Sequence, residues 1–138
     1  MYQYDAEFYD YINLGSRRSA AHVVALVASE LKPRSVLDVG CGSGAWLAEW
    51  LTHSGIDVYG VDGDYVDRDN LLVPQDRFGA QDISTRFDLK RRFDLVQSLE
   101  VAEHIPSAHA DELVDNLVAH GDIVMFSAAV PGQGGEHH

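Results

Sequence analysis

The apolar positions along the chain change period repeatedly, and each change marks an element. Over residues 16–31 the side chains Ala20, Val23, Val24, Val27 and Leu31 recur at three- and four-residue steps, the spacing of one helical face. Pro33 stops that helix. The run RSVLDV, residues 34–39, then reads as a buried strand. A second helix spans residues 43–53, carries Trp46, Leu47, Trp50 and Leu51, and is closed by Gly55 in the manner of a C-cap. Residues 57–61 (DVYGV) form a short strand with β-branched and aromatic content. Gly63 and Asp64 mark a turn, and residues 64–71 a short helix. A short strand is expected around residues 77–80, ending near Asp82, and another over residues 93–98 (FDLVQS). Residues 107–119 are helical with Leu113, Val114, Leu117 and Val118 on one face, and residues 122–127 (DIVMFS) form the last strand.

Strands thus alternate with helices, the pattern of an α/β fold: a Rossmann-like, doubly wound, mainly parallel sheet of about five strands. Its crossovers should be right-handed. Residues 1–15 read as an irregular aromatic lead and residues 16–138 as one domain. The 138 residues suffice for a single core.

Charge narrows the partners. With 10 basic and 22 acidic residues the net charge is −12, which repels phosphate backbones and makes nucleic acid a poor partner. No apolar run approaches the roughly 20 residues that span a bilayer, so no membrane role is expected. The N-terminus lacks the basic-then-apolar layout of a signal peptide. The single cysteine, Cys41, has no internal disulfide partner, which fits a cytoplasmic, reducing compartment.

Candidate chemistry gathers at strand ends, because open parallel sheets bind ligands beyond the carboxyl ends of their strands. Gly40, Gly42 and Gly44 follow the first strand, Asp62 the second, Asp82 the third, and Ser98, Leu99 and Glu100 the fourth. A loop without β-carbons lets a ligand approach the backbone, and the next helix offers free N–H groups. Asp62, 22 residues beyond Gly40, can accept hydrogen bonds from the vicinal hydroxyls of a ribose. Asp82 is placed to accept from an adenine amino group. The set reads as an adenosine site, and the adenosine could belong to NAD or to S-adenosylmethionine. Two details favour the second. The third glycine comes one residue earlier than in the dinucleotide fingerprint and is followed by Ala45 and Trp46. Asp38 would repel a pyrophosphate but welcome an α-ammonium group.

On these residues the sequence resembles the class I S-adenosylmethionine-dependent methyltransferases, in a small-molecule branch. VLDVGCGSG (36–44) matches the family's first motif, YGVDGDYV (59–66) its second, Asp82–Ile83 its adenine-binding segment, FDLVQSLEVAEHI (93–105) its fourth-strand motif and FSAAVPGQGGEHH (126–138) the segment after the fifth strand. The resemblance implies cofactor contacts from Asp38, Gly40, Cys41, Gly42, Gly44, Asp62, Gly63, Asp82, Ile83, Ser98 and Leu99. It places the loop after the fourth strand near the transferred methyl group, where His104 is the candidate general base for a hydroxyl or amine acceptor. Trp46 and Trp50 read as core, and Arg17 and Arg18 as surface residues able to hold the methionine carboxylate. His22, His53, His109 and His120 read as surface or helix-end residues. Glu136, His137 and His138 have metal-ligand chemistry, but a terminal tail or a tag is the simpler reading and no metal site is expected.

The family sheet usually ends in an antiparallel hairpin, and no residues remain for it after the fifth strand. The sequence therefore looks C-terminally truncated, with residues 122–126 forming an apolar edge open to pairing, including homodimerisation. The rival expectations are a cofactor-binding fragment without turnover and a nicotinamide-dependent oxidoreductase.

Overall fold

A computed structural model describes residues 20–99, 101 and 104–127. The expectations for the N-terminal lead, Arg17, Arg18, Glu100, Glu103 and the tail with Glu136, His137 and His138 lie outside these residues. A helix, α1, occupies residues 20–31 of the described chain. There follow β1 (Ser35–Val39), α2 (Ala45–Leu51), β2 (Asp57–Asp62), β3 (Phe78–Ala80), β4 (Leu95–Leu99), α3 (Ala110–His120) and β5 (Val124–Ser127). Single 3-10 turns sit at Arg68–Asn70, Gln75–Arg77 and Ser107–His109. The five strands form one sheet in the order β3-β2-β1-β4-β5, and every pairing is parallel. The expected α/β fold with a parallel sheet of about five strands is met.

Side chains alternate across the sheet and build two cores. On one face Leu37, Val39, Val61 and Val96 meet Leu113 and Leu117 of α3. On the other Val36, Val58 and Leu95 meet Val24 of α1 and Leu47 and Trp50 of α2. β1 and β4, covered on both sides, are almost wholly buried, as expected of central parallel strands. At the edge of the described sheet β5 stays half open, with Phe126 exposed and Ile123 exposed just before it.

Several boundaries and faces differ from the expectation. α2 ends at Leu51 with Thr52 as its cap, so Gly55 serves the turn into β2 and not the helix end. The short helix expected over residues 64–71 shrinks to one 3-10 turn, Arg68–Asn70. Leu31 is exposed at the end of α1. On α3 the buried face is Leu113, Asn116, Leu117 and His120, while Val114 and Val118 lie in the open. The reason is hydrogen bonding. The loop after β3 needs partners for its backbone, and Asn116 and His120 supply them. Asn116 Nδ2 donates to the Thr85 carbonyl (2.8 Å), and its Oδ1 accepts from the Phe87 N–H (3.1 Å). His120 Nε2 accepts from the Leu89 N–H at 3.0 Å, so His120 is a buried, structural residue. An unsatisfied buried backbone group costs about 1–3 kcal/mol, and this face of α3 satisfies three of them, the Thr85 carbonyl and the Phe87 and Leu89 N–H groups.

Candidate functional site

The glycine loop is tied to β2 through one carbonyl. The Val61 oxygen accepts from both the Gly40 N–H (2.8 Å) and the Cys41 N–H (3.2 Å). This bends the chain back immediately after β1. Gly40, Gly42 and Gly44 have φ of 85°, 56° and 93°, a region that side chains other than glycine's enter at a cost. Their surroundings differ. A Cβ on Gly40 would lie 2.5 Å from Val101, whereas one on Gly42 would meet nothing within 4 Å. Gly44 is the cap residue of α2 and packs against Val73. The open space is thus at Gly42, where a ligand has access to the backbone. A further glycine, Gly60, makes room for the loop, because a Cβ there would collide with Cys41 Sγ and Leu47.

Beside the loop the carboxylate of Asp62, at the end of β2, is held from three directions. Its Oδ2 accepts from the Gly42 N–H (2.8 Å) and its Oδ1 from the Gly63 N–H (2.8 Å). The Tyr65 hydroxyl also donates to Oδ1. These bonds join the ends of β1 and β2 into one rigid corner. Partial burial, the bond to Asp62 and the nearby negative charge push Tyr65 up to about 12, so its hydroxyl is a donor at neutral pH.

A cavity of about 850 Å³ opens at this corner, within the size range of small-molecule and cofactor sites. Gly40, Cys41, Gly42, Asp62, Gly63, Asp82, Ile83, Leu99 and His104 are among the residues that line it. Nine of the twelve residues expected at the site therefore line one space. Asp82 is exposed, and bonds from the Ser84 hydroxyl and N–H hold its carboxyl below the usual range.

The other three, Asp38, Gly44 and Ser98, lie behind the wall. Ser98 is fully buried within β4, and its hydroxyl has no hydrogen-bond partner among the described residues. Asp38 is buried inside β1, level with Gln97 of β4. Burial drives its carboxyl up to about 7, the Gln97 amide opposes that rise, and the charge of Asp62 adds to it. Gln97 is itself positioned by Trp50, whose indole N–H donates to its Oε1 at 3.0 Å. Trp50 is fully buried and Trp46 packs against the same core, as expected. Burial first, then the charges of Asp38 and Asp62, push the Cys41 thiol well above its ordinary value, which disfavours the thiolate. Sequence reasoning missed Tyr65, Ser84, Val101 and Pro106 as lining residues. Tyr65 and Val101 lie inside the matched motifs, and Ser84 and Pro106 directly follow them.

Comparison with known proteins agrees with this geometry. A family model described as a methyltransferase domain matches residues 11–126. The chain belongs to the methyltransferase domain family. Membership bears out the resemblance to S-adenosylmethionine-dependent methyltransferases and sets aside the oxidoreductase alternative. Among curated relatives, the ubiquinone biosynthesis O-methyltransferase of Alkalilimnicola ehrlichii is 35% identical over 113 residues, covering 75% of this chain and 45% of that protein. The enzyme of the same name from Coxiella burnetii is 34% identical over 85 residues, covering 55% and 35%. The methyltransferase chain thus spans under half the length of these relatives. The fold is shared with magnesium protoporphyrin IX methyltransferase from Synechocystis PCC 6803, solved with S-adenosylmethionine bound (TM-score 0.70, 24% identity, 98% of this chain and 68% of that one). It is shared also with an S-adenosylmethionine-bound amino pentose methyltransferase from Micromonospora echinaspora (TM-score 0.69, 23% identity, 95% and 59%).

Proposed function

We propose that this methyltransferase domain binds S-adenosylmethionine in the corner cavity and methylates a small-molecule acceptor, with a hydroxyl oxygen as the receiving atom. What carries the reading is the Asp62 carboxylate, fixed by backbone N–H groups at the exit of β2 beside the open flank of Gly42. Such an anchored acceptor beside exposed backbone suits a ribose. The names of the curated relatives, O-methyltransferases, support the choice of oxygen.

The residues fit the cofactor piece by piece. Asp62 would hold the ribose hydroxyls, Asp82 and Ile83 the adenine, and the glycine loop the methionine portion. Asp38, behind the loop, would face the α-ammonium group. The bound cofactor supplies an electrophilic methyl group. The protein's own contribution is chiefly orientation of the acceptor. His104, which also lines the cavity, would take the acceptor's proton as general base. Replacing it with alanine should lower turnover by about 10²–10⁴-fold while leaving the affinity for S-adenosylhomocysteine within about threefold, a loss of under about 1 kcal/mol. Equal losses in both would reduce His104 to a binding residue.

Among the described residues no helix is long and apolar enough to cross a membrane. A cytoplasmic setting belongs to the same proposal, since Cys41 is a free thiol. So does self-association through β5, whose Phe126 is 47% exposed on the edge of the described sheet; a one-chain mass in sedimentation would remove that part. The decisive experiment is a calorimetric titration with S-adenosylhomocysteine, using Asp62→Ala as control. Saturable one-to-one binding, lost in the variant, is expected. Equal binding by both proteins would refute the assignment of the ribose site.

A further inference from the structure

Asp62 has less room for a ribose than its position suggests. An ionised carboxylate offers about four acceptor positions, two on each oxygen. Among the described residues, Oδ1 is filled twice, by the Gly63 N–H and by the Tyr65 hydroxyl, and Oδ2 once, by the Gly42 N–H. One position is left, and a vicinal diol needs two. The two backbone donors are built into the strand ends and cannot leave without unmaking the corner. Tyr65 can leave: it is 79% exposed and follows the strand by three residues.

The tyrosine also depends on its neighbour. A Cβ on Gly63 would lie 2.5 Å and 2.7 Å from Tyr65 Cε1 and Cδ1. The ring therefore occupies space that any other residue at 63 would fill. Gly63 does not have a positive φ, so its backbone conformation does not demand glycine. The glycine's evident effect is to admit the ring.

We propose that Tyr65 is a specificity-determining residue of the nucleoside subsite, its hydroxyl competing with a ribose hydroxyl for Asp62. This rests on the adenosyl reading given above. A ligand with both ribose hydroxyls must displace the phenol and loses part of its affinity. A ligand with one hydroxyl uses the vacant position on Oδ2 and leaves the tyrosine in place. Tyr65 thereby narrows the difference in affinity between ribose and deoxyribose ligands.

The test is calorimetric titration of the full chain and three variants with S-adenosylhomocysteine, adenosine, and 2′- and 3′-deoxyadenosine. Tyr65→Phe should tighten S-adenosylhomocysteine and adenosine about five- to tenfold, the worth of one hydrogen bond net of solvent exchange. It should leave at least one deoxyadenosine within about twofold, under about 0.5 kcal/mol. Gly63→Ala, which keeps the hydroxyl but excludes the ring, should reproduce that pattern, a result that a purely local loss at residue 65 would not give. Asp62→Ala should abolish binding throughout. Unchanged or weaker ribose-ligand binding by Tyr65→Phe, where the parent binds and Asp62→Ala does not, overturns the competition alone. A parent chain that binds none of the four ligands overturns the adenosyl reading, and the competition with it.

Discussion

Asp38 is the residue whose replacement separates stability from binding most cleanly. It is 3% exposed, and burial, followed by repulsion from Asp62, raises its carboxyl from 3.8 to about 7 against the pull of Gln97. Between those values the folded chain binds more protons than the unfolded chain, so this group makes stability fall as pH rises. Above pH 7 the full penalty is present; below about pH 4 it is gone. The window spans about three pH units, each worth about 1.36 kcal/mol, so the cost has a ceiling of about 4 kcal/mol. Asp38→Asn keeps the shape and removes the charge. It should be more stable than the parent by about 2–4 kcal/mol near pH 8, and the gap should close on acidification toward pH 4. Urea unfolding of both proteins across that range measures the difference. On the proposed reading, in which Asp38 supplies the anion for the α-ammonium group, the same variant should bind S-adenosylhomocysteine at least about tenfold more weakly. A pH-independent gap, or a variant less stable near pH 8, would refute the picture of a carboxylate held at a cost for the ligand.

The glycine loop offers a paired comparison. Gly42→Ala adds only backbone strain, about 1–2 kcal/mol, because its Cβ would meet nothing within 4 Å; it should fold and lose ligand affinity. Gly40→Ala adds a clash with Val101 at 2.5 Å and should cost about 2 kcal/mol more in thermal or urea unfolding. Equal stabilities would show that Val101 yields freely. Asn116→Leu roughly keeps the side-chain volume on α3 but orphans the Phe87 N–H and the Thr85 carbonyl; a loss of about 2–4 kcal/mol is expected, and a neutral result in urea unfolding would show that the loop finds other partners.

Much of this protein can be read along the chain because its elements are local and its motifs are compact. Periodicity located every strand to within about two residues, and the helices more coarsely at their ends. A sheet buried on both faces leaves near-continuous apolar runs such as VLDV and LVQSL, which need no tertiary knowledge to recognise. The glycines of the first loop and the acids at the strand ends announced the cavity for a related reason. Parallel strands bring their carboxyl ends to one edge whatever the rest of the chain does.

What the tertiary structure decided lies in pairings between distant segments. The face of α3 turned on Asn116 and His120, polar residues that periodicity counts against burial but that the loop at residues 85–89 requires as partners. The roles within the site were set in the same way. Asp38 lies behind the wall and Tyr65 on it, because a side chain's access depends on what packs over it and not on its distance from a motif. The occupancy of Asp62 by the donors at 42, 63 and 65 exists only once β1 and β2 are registered side by side. A carboxylate's identity is written in one residue. Its free acceptor positions are a property of the neighbours that folding supplies.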